Sequence, residues 1–437
     1  MGGLAFSSGP EALYTPRMPK EIYLKVKEQC FDILRNLFEV VDSPIDGPDK
    51  TDFGDIDILL FGPKFTATSK EEILKTLEDS LGSVKSIIEK KDEIAAHFAI
   101  PWPAEDSLHS TPPTQPSSED VQERPKDKHI QVDVSVCTDL HRLRWTLFKH
   151  AHGDIWNMIG ATIRPYGLTV DEEALWLRVP EIEKLNKKRA KVFLTSDPDT
   201  ILRFVDLSPD EYWKGPFGDF HVMAEYVAQC RMFWVPPLPS EDDEGTMADV
   251  DGSGPSDDRR KLKSNDRRRM NTRPGFRRWF DEFYPECRQR GVYLEQKTSR
   301  QEVMQEAFDK FDGVKEEFEQ RRRKFLIEQQ RDLIWNKVIK GTIPPPDDIT
   351  DLGAVKLRGT LAKAFKRIIL EGDDQYGVVA PADLKDEDGF FVTENVIDFI
   401  VRNKDEVGRA AYEKQHAAFL EKKAREGELQ TKEGLVE

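Results

Sequence analysis

Apolar residues recur with two different periods along this chain. Ile22, Val26, Cys30, Ile33, Leu34 and Leu37 fall at helical spacing, which predicts an amphipathic helix over 19–40. A loop rich in Asp, Pro and Gly follows, from Asp42 to Gly54. The period then becomes two. In Gly54-Asp55-Ile56-Asp57-Ile58-Leu59-Leu60, alternation predicts a strand with Asp55 and Asp57 on one face and Ile56 and Ile58 on the other. Gln131-Val132-Asp133-Val134-Ser135-Val136 alternates in the same way, with valines on one face and Asp133 among polar neighbours on the other.

Other elements follow from local signals. Ser69, with Glu71 and Glu72 behind it, predicts a capped helix over 70–80, and a strand is expected at about 94–101. Residues 139–164 read as mostly helix. A strand pair is expected around Asp171-Glu172-Glu173, from Gly167-Leu168-Thr169-Val170 and 174–179, with another strand at 191–195. Ser196 or Asp197 should cap a helix that has Pro198 in its first turn and runs to about Val205. A helix near 218–233 closes this half, with Phe220, Met223, Tyr226, Val227, Phe233 and Trp234 as a core stripe. The last third is helical in pattern, near 297–340, 354–371 and 393–427.

Two stretches lack any period. Residues 103–128, rich in Pro, Ser and acidic residues, are expected to be disordered and to extend the tip of a hairpin. Residues 236–272 turn from acidic to basic and read as a flexible linker. The expected organisation is an N-terminal core over 1–235, this linker, and a helical region over 273–437.

Composition narrows the class. The 437 residues are 38% hydrophobic and 33% charged, with a net charge of −16. No apolar run reaches the ~18 residues of a membrane span, and no secretory signal pattern opens the chain, so an intracellular protein, cytoplasmic or nuclear, is expected. Cys30, Cys137, Cys230 and Cys287 are widely spaced and form no Cys-x-x-Cys zinc pattern. The acidic total argues against the whole surface binding nucleic acid. Basic clusters within 259–278 and at 321–324 nevertheless offer local sites for RNA, with solvated helix and linker surface as the alternative. Arg277, Arg278, Trp279, Phe283 and Tyr284 mix cations and aromatics that can either stack on RNA or pack between helices. His150 and His152, two apart, are not placed to share a metal on a helix. Ser135 lacks a nucleophile elbow and reads as a polar neighbour.

Laid side by side, the two acidic strands bring Asp55, Asp57 and Asp133 together. Clustered carboxylates repel one another unless a divalent cation neutralises them, which points to a Mg²⁺ or Mn²⁺ site serving a nucleoside triphosphate.

This pair of strands resembles the polymerase-beta-like nucleotidyltransferase superfamily, in which a Gly-Asp-hydrophobic-Asp strand is followed by a third acidic strand. The resemblance implies an α+β fold with a mixed sheet and flanking helices. It also implies that Asp55 and Asp57 hold two metal ions while Asp133 completes the catalytic site and helps activate an acceptor hydroxyl. An NTP, with ATP the expected donor, would supply the transferred nucleotide. The superfamily's Gly-Ser or Gly-Gly turn before the first aspartate is absent. Its place holds Asp42-Ser43-Pro44-Ile45, where Ser43 offers a hydroxyl but Pro44 removes a backbone donor. The opening through Thr15-Pro16-Arg17-Met18-Pro19 is similar to fungal and phage-type nucleotidyltransferase-like proteins. On that likeness, Gly2 and Gly3, with Arg17 or Lys20, would cradle the phosphates. A catalytically inactive scaffold binding RNA or a protein is the main alternative, and a metal-dependent glycosyltransferase a weaker one.

Overall fold

The computed structural model describes residues 3–67, 69–89, 94–103, 128–236 and 264–433. All but the ends of the expected disordered stretch 103–128 and most of the expected linker lie outside these residues, as does Gly2.

The chain divides into two compact units, 1–314 and 315–437. The first is mixed α/β. Strand β1 (Met18–Pro19) leads into helix α1 (Lys20–Arg35), then β2 (Phe38–Asp42), β3 (Asp52–Phe53) and β4 (Asp55–Pro63). Helix α2 (Lys70–Leu81) precedes β5 (Lys85–Ile88), β6 (Ile94–Pro101) and β7 (His129–Val136). The predicted helix over 19–40 ends at Arg35. Past Asn36 the β-branched pair Val40-Val41 joins a sheet instead, opposite Phe61 and Leu60 of β4. Ser69 caps α2 as expected, its hydroxyl accepting from the Glu72 N–H.

Five strands form the central sheet in the order β2-β4-β7-β6-β5. Only β4 and β7 run parallel; the other neighbours are antiparallel. β6 and β7 are hairpin partners through Pro101 and His129, so the 104–127 segment does connect their tips. One sheet face carries Ile56, Ile58, Leu60, Val132 and Val134, which pack with Tyr23, Val26, Leu34, Leu74 and Leu77 of α1 and α2. The opposite face is divided. Leu59, Phe61 and Cys137 pack against Leu143 and Leu147, and the acidic residues lie toward the other end.

Helix α3 (Leu140–His150), α4 (Ile155–Ile163), β8 (Leu168–Val170), β9 (Leu175–Arg178), α5 (Pro180–Glu183) and β10 (Lys191–Thr195) come next. The three strands form the small sheet β10-β9-β8. The predicted 139–164 helix is interrupted at His152 and Gly153, both with positive φ. His152 is buried, its Nε2 bonded to the Tyr212 carbonyl, so it is a core residue and not a ligand. Helix α6 (Pro198–Phe204) is capped by Asp197, which accepts from Thr200. Then follow α7 (Pro209–Trp213) and α8 (Phe220–Ala228), shorter than the predicted 218–233 helix. Helices α9 (Ser264–Thr272), α10 (Pro274–Arg278), α11 (Tyr284–Arg290) and α12 (Arg300–Lys310) complete the unit. The end of the expected linker is thus helical, and 264–314 belongs with the N-terminal unit.

The second unit is helical: α13 (Val314–Leu333), continued by a widened turn at 334–339 and by α14 (Lys340–Thr342), then α15 (Leu352–Lys366) and α16 (Thr393–Glu433). Its core gathers Ile334, Ile339, Phe365, Ile368, Val396 and Ile400.

Candidate active site

Register places the acidic residues. Across the parallel pair, Asp57 stands opposite Asp133 and Asp55 opposite Gln131. Across the antiparallel pair, His97 stands opposite Asp133 and Ala99 opposite Gln131. Side chains at paired positions share a face, so Asp57, Asp133 and His97 form one row and Asp55, Gln131 and Ala99 the next. Ser135, two residues beyond Asp133, occupies the following row as a polar neighbour.

Crowding perturbs these groups. Asp57 is pushed up to about 7, first by loss of solvation and then by the charges of Asp55 and Asp133. Solvent still reaches its side chain and screens part of this repulsion. Asp55 is raised too, by desolvation and Asp133, while Lys50 and the Gly3 N–H pull it back. Asp133 is held by two neighbours that sequence reasoning did not assign to the site. His97 Nδ1 lies 2.7 Å from its Oδ1, and Gln131 Nε2 donates to both oxygens at 2.8 and 3.1 Å. The Asp133 bond raises the His97 imidazole above its usual range, which favours its cationic form beside the acidic row. Its Nε2 faces Glu89 Oε1 at 3.3 Å. The signal for His97 lay in the 94–101 alternation, where it falls opposite in phase to Phe98 and Ile100; its partner required the strand register.

A strap formed by residues 3–15 crosses the Asp55 row. The Gly3 N–H donates to Asp55 Oδ2 at 3.0 Å, and the Ala5 N–H to Gln131 Oε1 at 3.0 Å. Thr15 Oγ1 donates to the Gly3 carbonyl, Lys85 Nζ binds Glu11, and Phe6 is buried. Gly3 has φ +83°, and a Cβ there would sit 2.1 Å from the Gly54 carbonyl oxygen, so only glycine fits.

The remaining phosphate candidates stand elsewhere. Arg17 is committed to Asp52, through Nε to Oδ1 at 2.9 Å and Nη2 to the carbonyl at 3.0 Å. Lys20 opens α1 with an exposed side chain, and the Ser43 N–H binds its neighbour Asp42. None of the three pairs with the acidic cluster. Near the cluster, Asp46 accepts from the Tyr23 hydroxyl at 3.0 Å and lies 3.5 Å from Lys50.

The donor set suits a hard divalent cation, because all three candidate ligands are carboxylates. Among the described residues, however, no group of three ligating side chains has closed into a metal-ready arrangement. Asp133 and Asp55 direct oxygens into their protein hydrogen bonds.

The mixed cationic and aromatic segment is core. Trp279, Phe283 and Tyr284 are fully buried and cannot stack on RNA. Of its arginines, Arg278 pairs with Asp49 and Glu282, while Arg277 is exposed. Residues 259–263 lie outside the described residues; Arg267 and Arg268 are exposed. In the second unit, Arg321 pairs with Glu317 and Arg323 donates to the Asp388 carbonyl.

No protein-family model matches this chain, and no curated protein matches it.

Proposed function

We propose that this protein is a Mg²⁺-dependent nucleotidyltransferase that moves a nucleoside monophosphate from an NTP, most simply ATP, to a hydroxyl acceptor, breaking the α–β phosphoanhydride bond and releasing pyrophosphate. The observation that supports it is the alignment of Asp57 with Asp133 across parallel strands, with Asp55 on the same face. Asp55, Asp57 and Asp133 would hold the metal. When bound, Mg²⁺ or Mn²⁺ would acidify the acceptor hydroxyl and offset the charge of the triphosphate. Asp133 would orient that hydroxyl and receive its proton. His97 and Gln131, bonded to Asp133, would fix the direction of its carboxylate. Gly2 and Gly3, with Arg17 or Lys20, remain the candidates for the phosphates; recruiting Arg17 would require it to release Asp52.

A second reading has its own support. The hydrogen bonds from His97 and Gln131 to Asp133, and from Gly3 to Asp55, satisfy much of the acidic cluster from within the protein. That suits an inactive scaffold that binds RNA or a protein.

One experiment separates the two. The protein is incubated with each NTP labelled at the α-phosphate, Mg²⁺ or Mn²⁺, and total RNA, beside Asp55→Asn and Asp57→Asn. Label transferred by the wild type and lost in both folded variants supports the transferase. Neither transfer nor metal-dependent NTP binding supports the scaffold.

A further inference from the structure

Gln131 is 3% exposed, and both ends of its amide are used. Nε2 donates to both oxygens of Asp133, while Oε1 accepts the Ala5 N–H of the strap. A buried primary amide needs partners for its carbonyl and its N–H groups, and this one draws them from two different parts of the molecule. The strap also reaches Asp55 directly, through the Gly3 N–H. Two of the three candidate metal ligands are therefore hydrogen-bonded to the strap or to the residue that holds it.

We propose that Gln131 is a positioning residue that couples docking of the 3–15 strap to the orientation of Asp133, so that strap closure and cation binding favour one another. This inference rests on the metal-site reading above. The physical ground is that outer groups donating to ligating carboxylates fix their direction, and losing such a partner weakens metal binding by about 10–100-fold. With the strap docked, Gly3 holds Asp55 and Gln131 holds Asp133, on the sheet face that Asp57 shares. A cation drawing those carboxylates inward keeps their outer bonds aligned, and with them the strap. By reciprocity, whatever loosens the strap lowers cation affinity by the same factor that losing the cation loosens the strap.

The test uses the full chain at pH 8, with Mn²⁺ as the probe. Mn²⁺ affinity is measured by titration calorimetry, and hydrogen exchange is followed by mass spectrometry across residues 3–15. The variants are Gln131→Met, which keeps bulk and removes both hydrogen-bonding ends, and Ala5→Pro, which removes only the N–H that Gln131 Oε1 accepts, at the second position of the Leu4–Ser7 turn where proline is favoured. In the wild type, Mn²⁺ should slow exchange of the strap. In both variants exchange should be faster, insensitive to Mn²⁺, and accompanied by at least tenfold weaker binding. Ala5→Pro, which leaves the Gly3–Asp55 bond in place, decides the matter if Gln131→Met fails to fold. Mn²⁺ binding that leaves wild-type strap exchange unchanged overturns the coupling while preserving the metal site. A wild type that binds no Mn²⁺ removes the metal-site reading, and the coupling falls with it.

Discussion

Asp57 and Asp133 face each other in register across the parallel pair of β4 and β7, and each meets a different set of neighbours. Asp133 is bonded to His97 and Gln131. Asp57 is desolvated and feels the repulsion of Asp55, Asp133 and Asp46, partly offset by Lys50. The cluster is thus unequal: the repulsion falls most heavily on Asp57, which keeps its proton to a higher pH than an isolated aspartate would.

That inequality gives the first prediction. The folded-state pKa of Asp57 is raised to about 7, so between about pH 4 and 7 the unfolded chain loses this proton first and stability falls as pH rises. Asp57→Asn removes the penalty. Above pH 7 the variant should melt higher than the wild type by about 1–2 °C, a small gain because solvent screens the site. Near pH 4 the difference should vanish. Thermal melts at pH 4, 6 and 8 check this, and a gain independent of pH would contradict it. Mn²⁺ should raise the wild-type melting temperature at pH 8 and much less near pH 4, where the carboxylates bind protons.

His97 carries the opposite sign. Its imidazole is raised by the Asp133 bond, so its contribution is complete below the unfolded value near 6.5 and is lost as pH climbs through the folded pKa. His97→Gln should cost about 2 kcal/mol at pH 5.5, the usual worth of a hydrogen bond to a charged group, and less at pH 9. Denaturant titrations at the two pH values measure the difference. An equal loss at both would mean that His97 is neutral.

The parts of this site that were legible in the sequence are those set by strand period. Alternation alone puts Asp55 and Asp57 on one face and gives Asp133 a matching strand, because side-chain direction along a strand is local. His97 and Gln131 gain their importance only from register, a non-local property that no window of sequence contains. The helix predicted through residue 40 ends early for a related reason: Val40 and Val41 lie within helical reach of Leu37 but gain more by pairing with β4. The Gly-Gly opening was assigned to phosphates; that residues 3–15 lie as a strap bonded to Asp55 and Gln131 was not legible. The short strand β5 was missed, since Lys85-Ser86-Ile87-Ile88 is too brief for its alternation to stand out.

Trp279 tests the assignment of the aromatic segment to the core. It is buried, with ring centres 4.9 Å from both Phe233 and Phe283. Trp279→Ala should destabilise the first unit by about 4 kcal/mol through lost burial and the cavity left behind. Where the variant is still folded, filter binding to RNA should match the wild type. Loss of RNA retention with unchanged stability would return Trp279 to a stacking surface.

Asp266 explains why the end of an apparently flexible, basic segment is ordered. Helix α9 has little apolar content, and of its residues only Asp266 and Met270 are buried. Asp266 lies between two guanidinium groups, with Oδ2 2.9 Å from Arg164 and Oδ1 2.6 Å from Arg269. The carboxylate fastens α9 to the end of α4 while offsetting the charge of Arg269. Removing one member of a buried ionic group leaves its partners uncompensated, at a cost of about 3 kcal/mol. Asp266→Ala should therefore destabilise the first unit by that order, and brief protease treatment should cut sooner between residues 264 and 273. Asp266→Asn, which keeps the shape and one acceptor, should show a smaller effect of the same sign. If Asp266→Ala leaves both stability and cleavage unchanged, α9 is held by Met270 and its neighbours, and the ionic cluster is incidental to its order.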